Sequence, residues 1–141
     1  MNKIKVLLAD DQNIIREGIR SLLQDYADIK IVGEAVNGRQ LVEMTTELEP
    51  DIVLTDIRMP IMDGVEAARM IKQQRPQTIV IMLTTFDDDE YIIEAMTGGA
   101  TGYLLKDVSS GQLVQALRDS MQGSLILPGR IAAKIRSGRR P

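Results

Sequence analysis

Short apolar runs alternate with stretches of helical period along most of this chain. Ile4-Lys-Val-Leu-Leu-Ala9 reads as a strand, and Ile15, Ile19, Leu22, Leu23 and Tyr26 recur at helical spacing, predicting a helix over about 13–26. Ile29–Ala35 alternates only in part, as a strand at a sheet edge does. Asn37-Gly38 turns the chain into a helix over about 39–48, which Glu49-Pro50 ends. A third strand, Ile52–Asp56, precedes Pro60 and Asp63-Gly64, and the next helix runs over about 64–74 and stops before Pro76. Ile79–Thr84 is continuously apolar until its end, as a buried parallel strand should be. Asp87-Asp-Asp-Glu90 then suits a helix N-terminus, where unpaired N–H groups favour negative charge, and Tyr91–Met96 carries that helix to Gly98-Gly99. Thr101–Lys106 is the fifth strand. Ser109 is placed to cap a last helix over about 110–122, which Gly123 ends.

Strand and helix in strict alternation predict an α/β fold with a parallel sheet. Five such units read as a flavodoxin-like doubly wound sheet of strand order 2-1-3-4-5, with helices on both faces. In that order the first and third strands are neighbours at the switch point, where ligands gather beyond the carboxyl ends of the strands. The pattern therefore brings Asp10 and Asp11, which follow the first strand, to Asp56 at the end of the third. Thr84-Thr85 and Lys106 close the fourth and fifth strands at the same edge.

Composition narrows the chemistry. The 141 residues, 44% of them hydrophobic and 26% charged, suffice for one domain with a real core and a short extension. No run approaches the roughly 18–20 apolar residues of a membrane span, so no membrane association is expected. The N-terminal apolar run is too short for a signal peptide. Absence of Cys excludes disulfides and thiolate metal sites, and absence of His excludes a histidine base or phosphohistidine on this chain. The net charge of −3 hides an asymmetry: residues 1–124 carry 12 Lys and Arg against 20 Asp and Glu, whereas residues 125–141 carry five basic residues and no acid. The first segment is the predicted domain, and its acidity makes it a poor nucleic-acid ligand. The second reads as a basic linker; composition favours that over a nucleic-acid arm. Ile131, Ala132 and Ile135 in it have helical spacing, with Pro128 acceptable in a first turn.

Three carboxylates from two strand ends form a hard-oxygen site suited to a divalent cation. A carboxylate can also attack phosphorus to give an acyl phosphate, and a cation is then needed to offset the repulsion of the incoming group. Each residue alone fits a plainer role: Asp10-Asp11 a solvated turn, Asp56 a turn cap, Lys106 a surface lysine. Their combination on correctly ordered strand ends is what carries the chemistry.

Over residues 3 to about 123 this constellation resembles the receiver domain of two-component response regulators. Asp-Asp-Gln near the start, Leu-Thr-Thr-Phe-Asp-Asp-Asp-Glu-Tyr and Gly-Tyr-Leu-Leu-Lys-Asp are similar to the LuxR/NarL-type subfamily. The resemblance implies that Asp56 accepts a phosphoryl group from a partner sensor histidine kinase in the cytoplasm. It implies a Mg²⁺ ion held directly by Asp11 and Asp56, through water by Asp10, and by the backbone carbonyl of Arg58. Lys106 and the Thr84 hydroxyl would contact phosphoryl oxygens. Thr84 and Tyr103 would form a switch pair, the ring at Tyr103 turning from exposed to buried; an edge-strand aromatic without a switching role is the plainer reading of Tyr103. Partner surfaces in the family are the first and last helices and the face shared by the helix near 91–96 with the fifth strand. Ile14 and Leu113 are placed outside the core faces of their helices, which points toward the first of these for a phosphorylation-dependent homodimer.

Two residues depart from the family's commonest wording: Thr85 stands where Ala is usual, and Asp107 where Pro is. DNA contact is expected only through a helix-turn-helix domain beyond the linker, which this chain does not contain. The chain is read as cut from a longer protein in preference to a stand-alone receiver. A Mg²⁺-dependent aspartyl-phosphate hydrolase is the enzyme-class alternative. Its Asp-x-Asp spacing is absent here, since the acid pair is adjacent, and no segment has room to be a substrate cap. The protein is therefore expected to be a phosphoacceptor switch that catalyses its own phosphorylation and dephosphorylation, not an enzyme with turnover.

Overall fold

The computed structural model describes residues 3–84, 100 and 102–124. The expected helix near 91–96 with its flanking acids and glycines, Thr85, Thr101 and the segment 125–141 lie outside the described residues. Elements follow in the order β1 (Ile4–Ala9), α1 (Asn13–Leu23), β2 (Ile29–Ala35), α2 (Gly38–Leu48), β3 (Ile52–Asp56), α3 (Gly64–Gln74), β4 (Ile79–Thr84), β5 (Gly102–Leu105) and α4 (Ser110–Met121). The strands form one parallel sheet in the order β2-β1-β3-β4-β5, the doubly wound order that the alternation predicts.

Residues of period two divide each strand between two apolar layers. Leu7, Ala9, Val53, Val80, Met82 and Tyr103 pack in one layer with Leu41 and Val42 of α2 and Val65, Ala68 and Ile71 of α3. Val6, Leu8, Ile52, Leu54, Ile81, Leu83 and Leu104 pack in the other with Ile19 and Leu23 of α1 and Leu113, Val114 and Leu117 of α4. Strands β1, β3 and β4 are buried on both faces and so need no alternation of polar residues. The half-exposed β2 is at the edge, as its mixed pattern predicts, and a register shift opposite Val6 and Leu7 breaks the regularity of that edge.

Local chemistry sets the helix starts. Asn37 accepts from the Gln40 N–H, Asp63 from the Glu66 N–H, and Ser109 with Gln112 forms a reciprocal capping box. Glu49 turns left-handed at φ 49° to end α2 before Pro50, and Gly123 at φ 91° follows α4.

Three expectations need correction. Helix α1 ends at Leu23, not near 26, because Tyr26 donates its N–H to Leu23 O (3.2 Å) and accepts from Ile29 N–H (3.1 Å) in the turn that delivers β2. Tyr26 still packs against the layer formed by α1 and α4. Strand β5 is Gly102–Leu105, one residue short of Lys106. Leu113 is fully buried, because the capping box at Ser109 fixes a register in which 113, 114, 116, 117 and 120 all face the sheet. Ile14, by contrast, is 75% exposed, as expected.

Candidate functional site

Strand ends converge on one acidic pocket. Asp10 directly follows β1 and is fully buried. Its N–H donates to Ala35 O at the end of β2 (3.1 Å), and its Oδ1 accepts from the Gln12 N–H (2.9 Å). Asp11 is exposed beside it. Asp56, the last residue of β3, is 5% exposed, and its Oδ1 accepts from the N–H of Ile57 at 2.8 Å. Asp10, Asp11 and Asp56 each offer an oxygen within 4.8 Å of the others. Neighbouring β1 and β3 in a parallel sheet produce this meeting, as the strand order requires.

Lys106 supplies the positive charge. Its backbone N–H donates to Thr84 O at 2.9 Å, extending the β4–β5 ladder by one step past β5. From there Nζ lies 3.1 Å from Asp56 Oδ1 and 3.5 Å from Asp10 Oδ2. Thr84 is fully buried at the end of β4, between the strands that deliver Asp56 and Lys106. Tyr103, in β5, is fully buried, and burial raises its hydroxyl pKa; its OH has no hydrogen-bond partner among the described residues. The Arg58 side chain is exposed two residues beyond Asp56.

Burial, followed by the negative charge of Asp10, pushes the Asp56 pKa up to about 6 against the pull of Lys106. Burial likewise raises that of Asp10, despite its bond from Gln12. For Lys106, burial favours the neutral form, but the Asp56 and Asp10 carboxylates outweigh it and hold the pKa above the ordinary value. Three carboxylates thus face one ammonium group, and among the described residues the buried Asp10 Oδ2 has no contact closer than Lys106 Nζ at 3.5 Å. Both observations fit a divalent cation with oxygen ligands, which would offset the excess charge and give that oxygen a closer contact than Lys106 provides. The acidic cluster is therefore a candidate metal site.

The loop after β3 is tightly tied. Gly64 donates its N–H to Ile57 O at 2.7 Å, and Gly38 at the start of α2 donates to Met62 O at 2.8 Å. A Cβ on Gly64 would lie 2.1 Å from Asp56 O, so only glycine lets α3 begin so close to Asp56. The sequence pattern does not single out Arg16 of α1, although its guanidinium donates to the Asp10 carbonyl oxygen and pairs with Glu34 of β2 at 3.1 Å. Glu34, a charged residue inside a strand, is the one signal that could have pointed to it.

Residues 6–118 match the family model described as the response regulator receiver domain. The transcriptional regulatory protein LnrK of Bacillus subtilis is 46% identical over 132 residues, covering 94% of this chain and 60% of LnrK. The response regulator protein VraR of Staphylococcus aureus is 38% identical over 95% of this chain and 64% of VraR. This chain therefore spans about three fifths of the length of these relatives. Among solved structures, the signal receiver domain of the response regulator NarL from Mycobacterium tuberculosis is 32% identical with a TM-score of 0.83, over 88% of this chain and all of that one. The isolated receiver domain of RcsB from Salmonella enterica serovar Typhimurium, determined with the phosphomimetic BeF₃⁻, is 26% identical with a TM-score of 0.82, over 94% of this chain and 98% of that one.

Proposed function

The chain belongs to the response regulator receiver domain family, with LuxR/NarL-type relatives, and we propose that it is a phosphorylation switch whose acceptor is Asp56. The phosphoryl donor is a phosphohistidine of a partner sensor histidine kinase in the cytoplasm. An Asp56 carboxylate oxygen forms the new P–O bond while the P–N bond breaks, and the electron pair leaves with the donor imidazole, which takes up a proton. The observation that carries this reading is the buried Asp56 carboxylate, with Lys106 Nζ 3.1 Å away and two further acids within reach.

Asp11 and Asp56, Asp10 through water, and the backbone carbonyl of Arg58 would hold Mg²⁺. When bound, that ion offsets the negative charge of the carboxylates and of the incoming phosphoryl oxygens. Lys106, already aimed at Asp56, pairs with a phosphoryl oxygen as a compact point charge. The Thr84 hydroxyl donates to another, and the burial of Tyr103 goes with that state. The protein is accordingly a switch that catalyses its own phosphorylation and loss of phosphate, with no separate substrate to turn over. Output passes through dimerisation and a helix-turn-helix DNA-binding domain in the part of the relatives' length that this chain does not span. RcsB, whose structure includes two dimers bound to two parallel DNAs, supports that reading by kinship.

Intact mass after incubation with acetyl phosphate and Mg²⁺ tests the assignment. One added phosphoryl group is expected, and none in Asp56→Asn. Unchanged labelling in that variant would remove Asp56 as the acceptor, and sustained turnover of p-nitrophenyl phosphate would favour a hydrolase.

A further inference from the structure

The backbone of Asp10, the first of the pocket's two adjacent acids, is held on both sides of its Cα. On one side the Asp10 N–H donates to Ala35 O of β2 at 3.1 Å. On the other the Asp10 carbonyl oxygen accepts from Nη1 of Arg16, one turn into α1. The same guanidinium donates from Nε to Glu34 Oε1 at 3.1 Å and from Nη2 to Asn13 Oδ1 at 3.1 Å. Its side chain is only 13% exposed, so these bonds are made largely out of water. The Gln12 side chain makes no capping bond at the start of α1, so the side-chain tie between the Asp10 carbonyl and the helix is the one from Arg16.

We infer that Arg16, braced by Glu34, is a positioning residue that fixes the Asp10–Asp11 peptide and thereby aims the Asp11 carboxylate at the metal site. Asp10 is fixed by burial and by its bond from Gln12, but Asp11 is exposed, and its direction depends on the plane of the peptide before it. Arg suits this task because its planar fork serves three acceptors at once, from the loop, from α1 and from β2. Arg20 is the natural control. It bonds the same Glu34 oxygen from the next turn of α1 but, among the described residues, makes no bond to the loop.

Charge and position predict opposite signs, which makes the inference sharp. Removing a cation beside an acidic cluster should tighten cation binding if Arg16 acts by its charge alone. Removing a brace should weaken it, by about tenfold for a group that orients a ligand.

The inference rests on the metal-site reading above, so two measurements are paired. Calorimetric titration with Mg²⁺ is expected to give a Kd about tenfold weaker in Arg16→Met than in wild type. Arg16→Lys, with its charge kept, should fall short of full rescue, and Arg20→Met should stay within twofold of wild type. In the metal-free protein, amide hydrogen exchange at Gln12, whose N–H is bonded to Asp10 Oδ1, should quicken in Arg16→Met and not in Arg20→Met. Unchanged or tighter Mg²⁺ binding in Arg16→Met, or full rescue by Arg16→Lys, would overturn the positioning role. If wild type itself binds no Mg²⁺, the metal-site reading fails, and the exchange rates alone decide whether Arg16 holds the loop.

Discussion

Lys106 Nζ and Asp56 Oδ1 lie 3.1 Å apart, joined across the end of β4 from two strands that are not neighbours. The lysine can reach because its own backbone N–H is pinned to Thr84 O, so that its side chain starts beside the end of the intervening strand. One cation nevertheless serves more than one carboxylate, since Asp10 Oδ2 lies 3.5 Å from the same Nζ. The pocket is therefore over-supplied with negative charge when metal-free, and its charge state should be visible in folding stability.

The Asp56 pKa, pushed up from 3.8 to about 6 chiefly by burial, makes that cost measurable. A carboxyl with a higher pKa folded than unfolded destabilises the fold fully above pH 6 and less as pH falls from about 6 to 4. A difference of about two pKa units corresponds to about 3 kcal/mol. In metal-free protein, Asp56→Asn should raise stability at pH 7 by up to that amount and flatten the pH dependence between 4 and 7. Added Mg²⁺ should stabilise wild type more than the variant, since a ligand for the folded state adds stability by mass action. Urea unfolding at several pH values checks this. A variant less stable than wild type at pH 7 would show that the Asp56–Lys106 attraction outweighs the cost of burial.

Two glycines should respond in opposite directions to the same substitution. Gly64→Ala places a methyl 2.1 Å from Asp56 O, against backbone that cannot yield without moving the end of β3. A loss of about 1–3 kcal/mol is expected, as for other overpacked sites. Gly18 lies within α1, and no atom of the described residues comes within 4 Å of its missing Cβ. Gly18→Ala should stabilise by about 0.5–1 kcal/mol, because Gly loses more backbone entropy in a helix. Thermal unfolding of both variants distinguishes steric from entropic origins.

How much of this was legible beforehand depended on which interactions repeat along the chain. Parallel β-strands bring their carboxyl ends to one edge, so finding the ends of the apolar runs was enough to assemble Asp10, Asp11, Asp56, Thr84 and Lys106. The brace at Arg16 was not legible, because its acceptors lie in a loop, in α1 and in β2, and no periodicity links those three places. The burial of Leu113 escapes the apolar pattern for a related reason. The inner face of α4 is wide enough to hold both Leu113 and Val114, and its rotation is set by the cap at Ser109 rather than by the apolar stripe alone. Tyr26 shows the converse: helical spacing placed it correctly against the core even though the helix itself had already ended.

The coupling of phosphate to assembly should run through Thr84. This residue ends β4, its carbonyl holds Lys106, and the next strand carries the buried Tyr103. A phosphoryl group that bonds the Thr84 hydroxyl in only one of two loop arrangements shifts their populations by its differential affinity. The acidic body opposes self-association through charge repulsion, so the unphosphorylated chain should be mainly monomeric. Differential stabilisation of about 1.4 kcal/mol would already change a dimer constant tenfold. Thr84→Ala should still accept phosphate at Asp56, because the acceptor oxygen and Lys106 Nζ remain in place, but its dimerisation should no longer respond. Sedimentation of wild type and Thr84→Ala, each with and without a beryllofluoride mimic, reads both effects. A wild-type profile that does not change with the mimic would remove the coupling, and a Thr84→Ala profile that changes as much as wild type would move it to another residue.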